Sequence, residues 1–309
     1  MSSTIEEVAP AEKREGGLPW SLWLRQVGAI LRIELKKNFF SKRAVLIYLL
    51  ALLPVLLILA LAIFPPRDER TTHTRDAQGR VSEQTVRSYP LSDLNTVQVV
   101  FANVYNGLIL RTVIFFGCAW IFMNLFRGEI VDRSLHYYFL SSLRREVLVV
   151  GKYFSGLLTS ASLFGLVTIA SLLLFYFPHA YNDSARFFSS GQGLVQLLTY
   201  AGITVLACIG YGAFFLVVGL FFRNPILPAL MLYGWEWLNF LLPPLLKKVS
   251  VIHYLQSLTP IPLSEGPFAV VAEPTRGWIA IPSLLIMTAL VLALASLRIR
   301  RMEIRYGSE

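Results

Sequence analysis

Long apolar blocks alternate with polar segments along this chain. The blocks cover residues 44–64, 97–126, 154–177, 194–222, 226–242 and 278–297. A transmembrane helix needs about 20 mostly apolar residues, whereas a helix of a water-soluble domain needs only one apolar stripe. The pattern therefore predicts an all-α fold, a polytopic membrane protein with six transmembrane helices.

The segment before the first block, residues 20–43, has the pattern of an amphipathic helix. Trp20 and Trp23 recur at helical spacing on one face. On the opposite face lie three cations, Arg32, Lys36 and Lys37. Helices that carry tryptophan opposite cations lie in the plane of the membrane interface. We therefore expect an interfacial helix that leads directly into the first span.

Polar segments divide the rest of the chain. Residues 1–19 are expected to form a disordered cytoplasmic tail, and residues 44–309 the six-span domain. Within that domain, residues 65–96 are expected to be an outer loop and residues 127–153 a cytoplasmic loop. Residues 245–276 contain four prolines, and because proline interrupts helices, they predict a broken, re-entrant segment before the last span.

Charge predicts the orientation of the spans. The chain is 55% hydrophobic and 15% charged, whereas soluble domains carry roughly 25% charged residues. Its net charge is +9, and 18 of its 28 lysines and arginines lie in the N-terminal segment, the 127–153 loop, at Arg223 and in the C-terminal tail. Cytoplasmic loops carry the excess of cations. Both termini are therefore expected in the cytoplasm, in a cell (inner) membrane, and the charge does not indicate nucleic-acid binding.

The sequence lacks the motifs of common enzymes. It has no Gly-rich phosphate loop of the P-loop form and no Gly-x-Ser-x-Gly. The four histidines, His73, His136, His179 and His253, are scattered and form no zinc-binding pair. We therefore expect no catalytic residue, no metal ligand and no cofactor bound by this chain.

The 127–153 loop combines charges with an apolar stripe. The stripe comprises Leu135, Tyr138 and Phe139. The flanking charges are Glu129, Asp132, Arg133, Arg144, Arg145 and Glu146. A helix of this kind docks into a groove of a cytosolic partner with apolar anchors and charged rims. The pattern alone is equally typical of a solvated loop.

This loop resembles the intracellular loop of ABC transporter permeases of the type-2 exporter class. The matching residues are Gly128, Glu129, Ser134, Leu135, Leu140, Arg144, Arg145, Gly151 and Lys152. The chain departs from the family pattern at Ser142, where proline is common. Members of the class also have an interfacial elbow helix, six spans and a broken segment before the last span, so the resemblance covers nearly the whole chain.

The resemblance implies a permease subunit of an ATP-driven exporter that forms half of the translocation pathway. A second permease subunit, identical or different, and separate cytosolic ATPase subunits would be its partners, and ATP and magnesium would be bound by the ATPases. The elbow helix and a coupling helix centred on residues 129–140 would contact the ATPases. The coupling residues implied are Glu129, Asp132, Arg133, Ser134, Leu135, Tyr138, Leu140, Arg144 and Arg145.

The roles of two polar residues inside the apolar blocks, Glu236 and Arg111, are left open by the sequence. Glu236, with Asn239 nearby, has either a translocation or inter-helix role, because an intramembrane carboxylate indicates function, or it is a packed or interfacial residue with a local partner, because its tryptophan neighbours indicate an interface. Arg111 either snorkels towards the surface, which we favour, or faces protein. A secondary transporter would use such groups; a non-transport anchor of a signalling complex would use only the docking surfaces.

Overall fold

The computed structural model describes residues 20–41, 44–64, 68–75, 81–88, 93–131, 145–179, 181–222, 224–261 and 275–300. Five of its helices are long and apolar enough to cross a membrane, as the apolar blocks predict. They are Ala44–Ile63, Leu94–Gly128, Arg145–Pro178, Gln192–Phe221 and Gly277–Arg300. The chain is therefore a helical protein with the features of a multi-pass membrane protein.

The elements follow the apolar and polar segments in order. The helices are α1 (Trp20–Phe40), α2 (Ala44–Ile63), α3 (Leu94–Val104), α4 (Phe115–Val131), α5 (Arg145–His179), α6 (Tyr181–Ser189), α7 (Gln192–Phe221), α8 (Ile226–Trp237), α9 (Pro244–Lys247), α10 (Val251–Ser257) and α11 (Gly277–Arg300). A π-helical segment, Tyr105–Ile114, joins α3 to α4, and a 3-10 turn, Leu238–Leu241, follows α8. The predicted tail, residues 1–19, lies outside the described residues.

The predicted outer loop, residues 65–96, contains a structure that the all-α prediction omits. Strands β1 (Asp68–Arg75) and β2 (Val81–Ser88) pair antiparallel, with Asp68 opposite Ser88 and Arg75 opposite Val81. Strand β1 contains three threonines, and β2 contains two valines and one threonine; such β-branched residues favour extended backbone. The transmembrane part is helical, but this loop carries a β-hairpin.

The fifth predicted span is not a long helix. Helix α8 has 12 residues, about 18 Å of rise, against roughly 30 Å for the hydrocarbon core of a bilayer. Its helical hydrogen bonds give way to the 3-10 turn, and Pro243 and Pro244 prevent continuation. The prediction of a single helical span at residues 226–242 is therefore wrong.

Side-chain contacts show which helix ends lie together. The Arg298 guanidinium lies 5.2 Å from the centre of the Phe221 ring, and Arg145 Nη1 donates to the Arg300 carbonyl at 2.9 Å. The start of α5 and the ends of α7 and α11 thus share one end of the bundle. Near the start of α11, His253 Nε2 and Thr275 Oγ1 are 3.0 Å apart. Between α7 and α11, the chain passes from one end of the bundle to the other through short helices.

Close packing of α7 explains the small residues in its sequence. A Cβ atom on Gly212 would lie 2.4 Å from the Phe122 ring, and one on Gly219 would lie 2.8 Å from the backbone of Met123. Both residues therefore let α7 approach α4 closely, as small residues between membrane helices generally do. Gly202, on the same helix, has open space where a Cβ would be.

Candidate functional site

A buried ion pair fastens α1 to α5. Lys152 Nζ donates to Glu34 Oε1 at 2.5 Å, and the two side chains are 0% and 2% exposed. Lys152 is one of the residues that carry the family resemblance, and it lies at the end of the 127–153 loop. Charges inside a protein are costly unless they are paired and hydrogen-bonded, so this pair fixes which turn of α1 meets which turn of α5.

Helix α4 completes the surroundings of Lys152. The ammonium also donates to the Leu125 carbonyl at 2.9 Å and lies 5.4 Å from the centre of the Phe126 ring. A carboxylate, a carbonyl and an aromatic face thus replace the water that the ammonium loses on burial. Through this one side chain, α1, α4 and α5 are held together.

Two neighbouring contacts keep α1 close to α5. A Cβ atom on Gly151 would lie 3.2 Å from the Ile30 side chain, so glycine allows the close approach. Asn38 Nδ2 donates to Thr159 Oγ1 at 3.4 Å. Ile30, Glu34 and Asn38 are spaced four residues apart and share one face of α1. That face is packed against α5 along two turns.

The predicted interfacial cations of α1 lie away from this contact. Arg32, Lys36 and Lys37 are exposed and Trp23 is partly buried; the side chain of Trp20 lies outside the described residues. The helix therefore has one face on the bundle and one face open. Its placement in the membrane interface stays a prediction.

Most of the predicted coupling residues cannot be placed. Asp132, Arg133, Ser134, Leu135, Tyr138, Leu140 and Arg144 lie outside the described residues, and Glu129 lies in the last turn of α4 with its side chain outside them. Arg145 begins α5 and donates to the carbonyls of Ile299 and Arg300 at 3.3 and 2.9 Å. The adjacent Glu146 forms an ion pair with Arg300. The structure thus gives Arg145 partners at the end of α11, and its role towards an ATPase stays a prediction.

Glu236 lies at the end of α8 and joins it to α10. Its Oε1 accepts from the Val251 N–H at 3.1 Å, and its Oε2 accepts from the Ile252 N–H at 2.9 Å. Side-chain donors to Oε2 are the hydroxyls of Ser250 at 2.9 Å and Tyr211 at 3.2 Å. The residue is 4% exposed. The first N–H groups of a helix lack partners within it, so Glu236 bridges the break between two short helices.

Two other polar residues near this break differ in their contacts. Asn239 is 1% exposed, and its Nδ2 has no hydrogen-bond partner within the described part of the chain. Arg111 is partly buried, lies in the π-helical segment halfway along the second long helix, and has its Nε atom shielded from solvent. Arg111 therefore faces protein, and the favoured snorkelling orientation is wrong.

The sequence contained signals for some of these residues. Glu34 is the only acidic residue in Trp20–Phe40, and it lies on the same helical face as Ile30. An acidic residue on an apolar face indicates a buried cationic partner. Its pairing with Lys152 spans 118 positions, which helical spacing cannot reveal. Tyr211 and Ser250 are ordinary apolar-block and loop residues by pattern, and only the fold brings them to Glu236.

Metal chemistry has no candidate site among the described residues, where no group of three histidine, cysteine, aspartate or glutamate side chains could hold an ion. Cys118 and Cys208 are free and buried. A scan against protein-family models and a search of curated protein sequences each found no match to this chain. The candidate functional features of the described residues are therefore the buried contacts of α1 and the α8–α10 break.

Proposed function

We propose that this chain is the permease subunit of an ATP-driven exporter of the type-2 class. The observation that supports it best is the Glu34–Lys152 pair, because it joins the predicted elbow helix to the span that follows the predicted coupling loop. A push on either element would move both, and with them the cytoplasmic ends of α4 and α5. Rigid elements joined in this way convert motion at a docking surface into movement of spans.

We further propose six membrane crossings with both termini in the cytoplasm. Five are the long helices, and the remaining one is the broken path through α8 and α10. Irregular backbone at membrane depth is tolerated where it is buried in protein, and the Glu236 contacts bury this break. The excess of cations at the predicted inner ends supports the same orientation.

The proposed assembly needs other chains for its energy and its pathway. Two cytosolic ATPase subunits would bind ATP and magnesium, and a second permease subunit would complete the translocation path. The substrates of the class include lipids, glycans, drugs and peptides, and no described feature selects among them.

The test is co-purification with any ABC ATPase that is encoded beside this chain, followed by ATP hydrolysis in liposomes. We expect a stable complex whose hydrolysis rate differs from that of the ATPase alone. Lys152→Met should keep the complex but weaken this coupling, and Arg25→Ala, an exposed change on the same helix, should not. Failure of the wild-type chain to co-purify, or an unaltered hydrolysis rate, would overturn the proposal. A stable complex with an unaltered hydrolysis rate would favour a non-transport membrane anchor.

A secondary transporter is the second candidate, and the α8–α10 break favours it. Such transporters use discontinuous helices with charged groups at the break. Against it, the Glu236 carboxylate is bound by four donors of its own chain, which is the arrangement of a structural bridge. Uptake or release driven by an ion gradient without ATP, and abolished by Glu236→Gln, would favour this candidate over the exporter.

A further inference from the structure

Buried hydroxyl groups join α5 to α7 inside the bundle. Thr168 Oγ1 of α5 and Thr204 Oγ1 of α7 are 3.0 Å apart. The Tyr105 hydroxyl lies 3.0 Å from Thr204 Oγ1 and donates to the Tyr200 carbonyl at 3.1 Å. The side chains of both threonines and of Tyr105 are at most 1% exposed. Direct bonds between protein groups thus satisfy the polar atoms here, as burial requires.

Three further polar side chains lie beyond this contact. Tyr176 is about two turns past the threonine of α5, and Tyr200 and Gln196 are about one and two turns before the threonine of α7. Because α5 starts at the end of the bundle where α7 finishes, both sets extend in the same direction. The Phe101 ring packs against both tyrosines, with its centre 5.8 Å from the Tyr176 ring centre and 5.3 Å from that of Tyr200. The three side chains therefore share one region between α5 and α7.

The oxygen atoms of these three side chains are deeply buried. The side chains of Tyr176 and Tyr200 are 0% exposed, and that of Gln196 is 7% exposed. The two hydroxyls and Gln196 Oε1 make no hydrogen bond of normal length and angle to any described residue. A buried polar group without a partner is rare and costly. Three such groups in one region indicate a partner that comes from outside the chain.

We infer that Tyr176, Tyr200 and Gln196 bind a water molecule between α5 and α7. A water molecule donates and accepts, a tyrosine hydroxyl does either, and Gln196 Oε1 accepts, so one water can complete the bonding of all three. Buried waters typically make about three hydrogen bonds. The three groups are neutral, whereas hard cations such as Ca²⁺ are held largely by carboxylates, so the oxygens suit water rather than a cation.

The bound water would make this part of the α5–α7 contact adjustable. A water bridge is nearly as favourable in enthalpy as a direct hydrogen bond, and the water can move with either helix. The threonine contact, in which protein groups bond directly, has no such freedom. The inference does not depend on the exporter proposal, so its test uses the full-length chain alone in detergent.

The first measurement is the direction in which Tm changes when a hydroxyl is removed. Tyr176→Phe and Tyr200→Phe should each lower Tm by about 2 °C, the shift expected for the loss of one hydrogen bond in a chain of this size. Tyr105→Phe, which removes a hydroxyl with protein partners, should lower Tm as well and serves as the reference. A rise in Tm for either Tyr176→Phe or Tyr200→Phe would mean that the hydroxyl has no partner, and would overturn the inference.

The second measurement distinguishes water from a direct bond to protein. A short X-ray pulse splits bound water into hydroxyl radicals, which oxidise adjacent side chains even when these are buried, and mass spectrometry locates the oxidised residues. Tyr176 and Tyr200 should be oxidised several-fold more than Tyr211, which is 1% exposed and donates to Glu236 Oε2 at 3.2 Å. Oxidation of Tyr176 and Tyr200 no greater than that of Tyr211 would overturn the water site, even with a lowered Tm.

Discussion

Glu34 and Glu236 are both buried carboxylates, but their partners differ. Glu34 faces an ammonium, so the pair is neutral as a unit. Glu236 is held by two backbone N–H groups and two hydroxyls, which stabilise a carboxylate by hydrogen bonding alone. Removing Lys152 or Glu34 leaves its partner as a buried, unbalanced charge. The hydrogen bonds of Glu236 depend instead on the position of α8 relative to α10.

The Glu34–Lys152 pair can be tested through the stability of the chain. Lys152→Met leaves the Glu34 carboxylate buried without its cation, and breaking a buried pair in this way costs about 3–5 kcal/mol. We expect a clear fall in Tm in detergent. The double variant Glu34→Met with Lys152→Met should regain most of this loss, because apolar residues of similar size often replace a buried pair without penalty.

The exposed Glu146–Arg300 ion pair serves as the control for the buried Glu34–Lys152 pair. Glu146→Gln removes a partner of Arg300 whose side chain is 61% exposed, and exposed pairs contribute about 0–1 kcal/mol. The Tm of the Glu146→Gln variant should barely change.

For the buried pair, the contradicting result is additivity. If the losses of Tm in the Glu34→Met and Lys152→Met single variants simply added in the double variant, the two side chains would not be acting as a pair.

Single-residue patterns revealed part of this picture. Amphipathic spacing marked α1 and its exposed cations, and the carboxylate at Glu236 stood out because it interrupts an apolar block. The partners of both carboxylates could not be predicted, because Lys152 is 118 residues from Glu34 and Ser250 lies beyond two prolines. Contacts of that range depend on how helices cross, which spacing along one helix does not encode.

At the scale of elements, length and continuity decided which predictions held. Five of the six apolar blocks form long helices. In the remaining block, residues 226–242, the helix ends after 12 residues at Trp237. Apolar residues continue through Leu242, so a count of apolar positions cannot detect the end of the helix. The π-helical segment around Arg111 was equally hidden, since its residues have ordinary helical composition.

The packing of α7 on α4 can be tested with two glycines of one helix. Gly219→Ala would place a Cβ 2.8 Å from the backbone of Met123, and backbone cannot move aside as a flexible side chain can. Overpacking of this kind costs about 1–3 kcal/mol, so the Tm should fall. Gly202→Ala enters open space and should be neutral or stabilising by up to about 1 kcal/mol through helix propensity. Equal Tm changes in the two variants would contradict this packing.

At the scale of the whole molecule, the sequence predicted the helical architecture but not the path of the chain between α7 and α11. Proline spacing indicated a broken segment in residues 245–276, of which the structure describes 245–261 as short helices and turns and 275–276 as irregular backbone. The break itself begins earlier, at Trp237. Hydropathy describes how well each residue suits a lipid environment. It therefore cannot predict a segment whose irregular backbone is buried within protein.

The number of crossings determines the side on which the C-terminus lies. With an N-terminus in the cytoplasm, six crossings return the C-terminus there, whereas five crossings, with the α8–α10 path turning back, place it outside. Ser308→Cys, treated on intact cells with a membrane-impermeant maleimide, should therefore remain unlabelled and become labelled after permeabilisation. Thr85→Cys, in the hairpin of the predicted outer loop, should be labelled on intact cells.

Both variants retain Cys118 and Cys208, which are buried, so the wild-type chain provides the background level. Labelling of Ser308→Cys on intact cells, with Thr85→Cys labelled as well, would mean that the α8–α10 path does not cross the membrane. In that case Glu236 would join two short helices that enter and leave on one side. Arg298 contacts the end of α7, and Arg300 contacts the start of α5. These contacts argue for six crossings, because they hold the C-terminal end of α11 beside the predicted cytoplasmic loop.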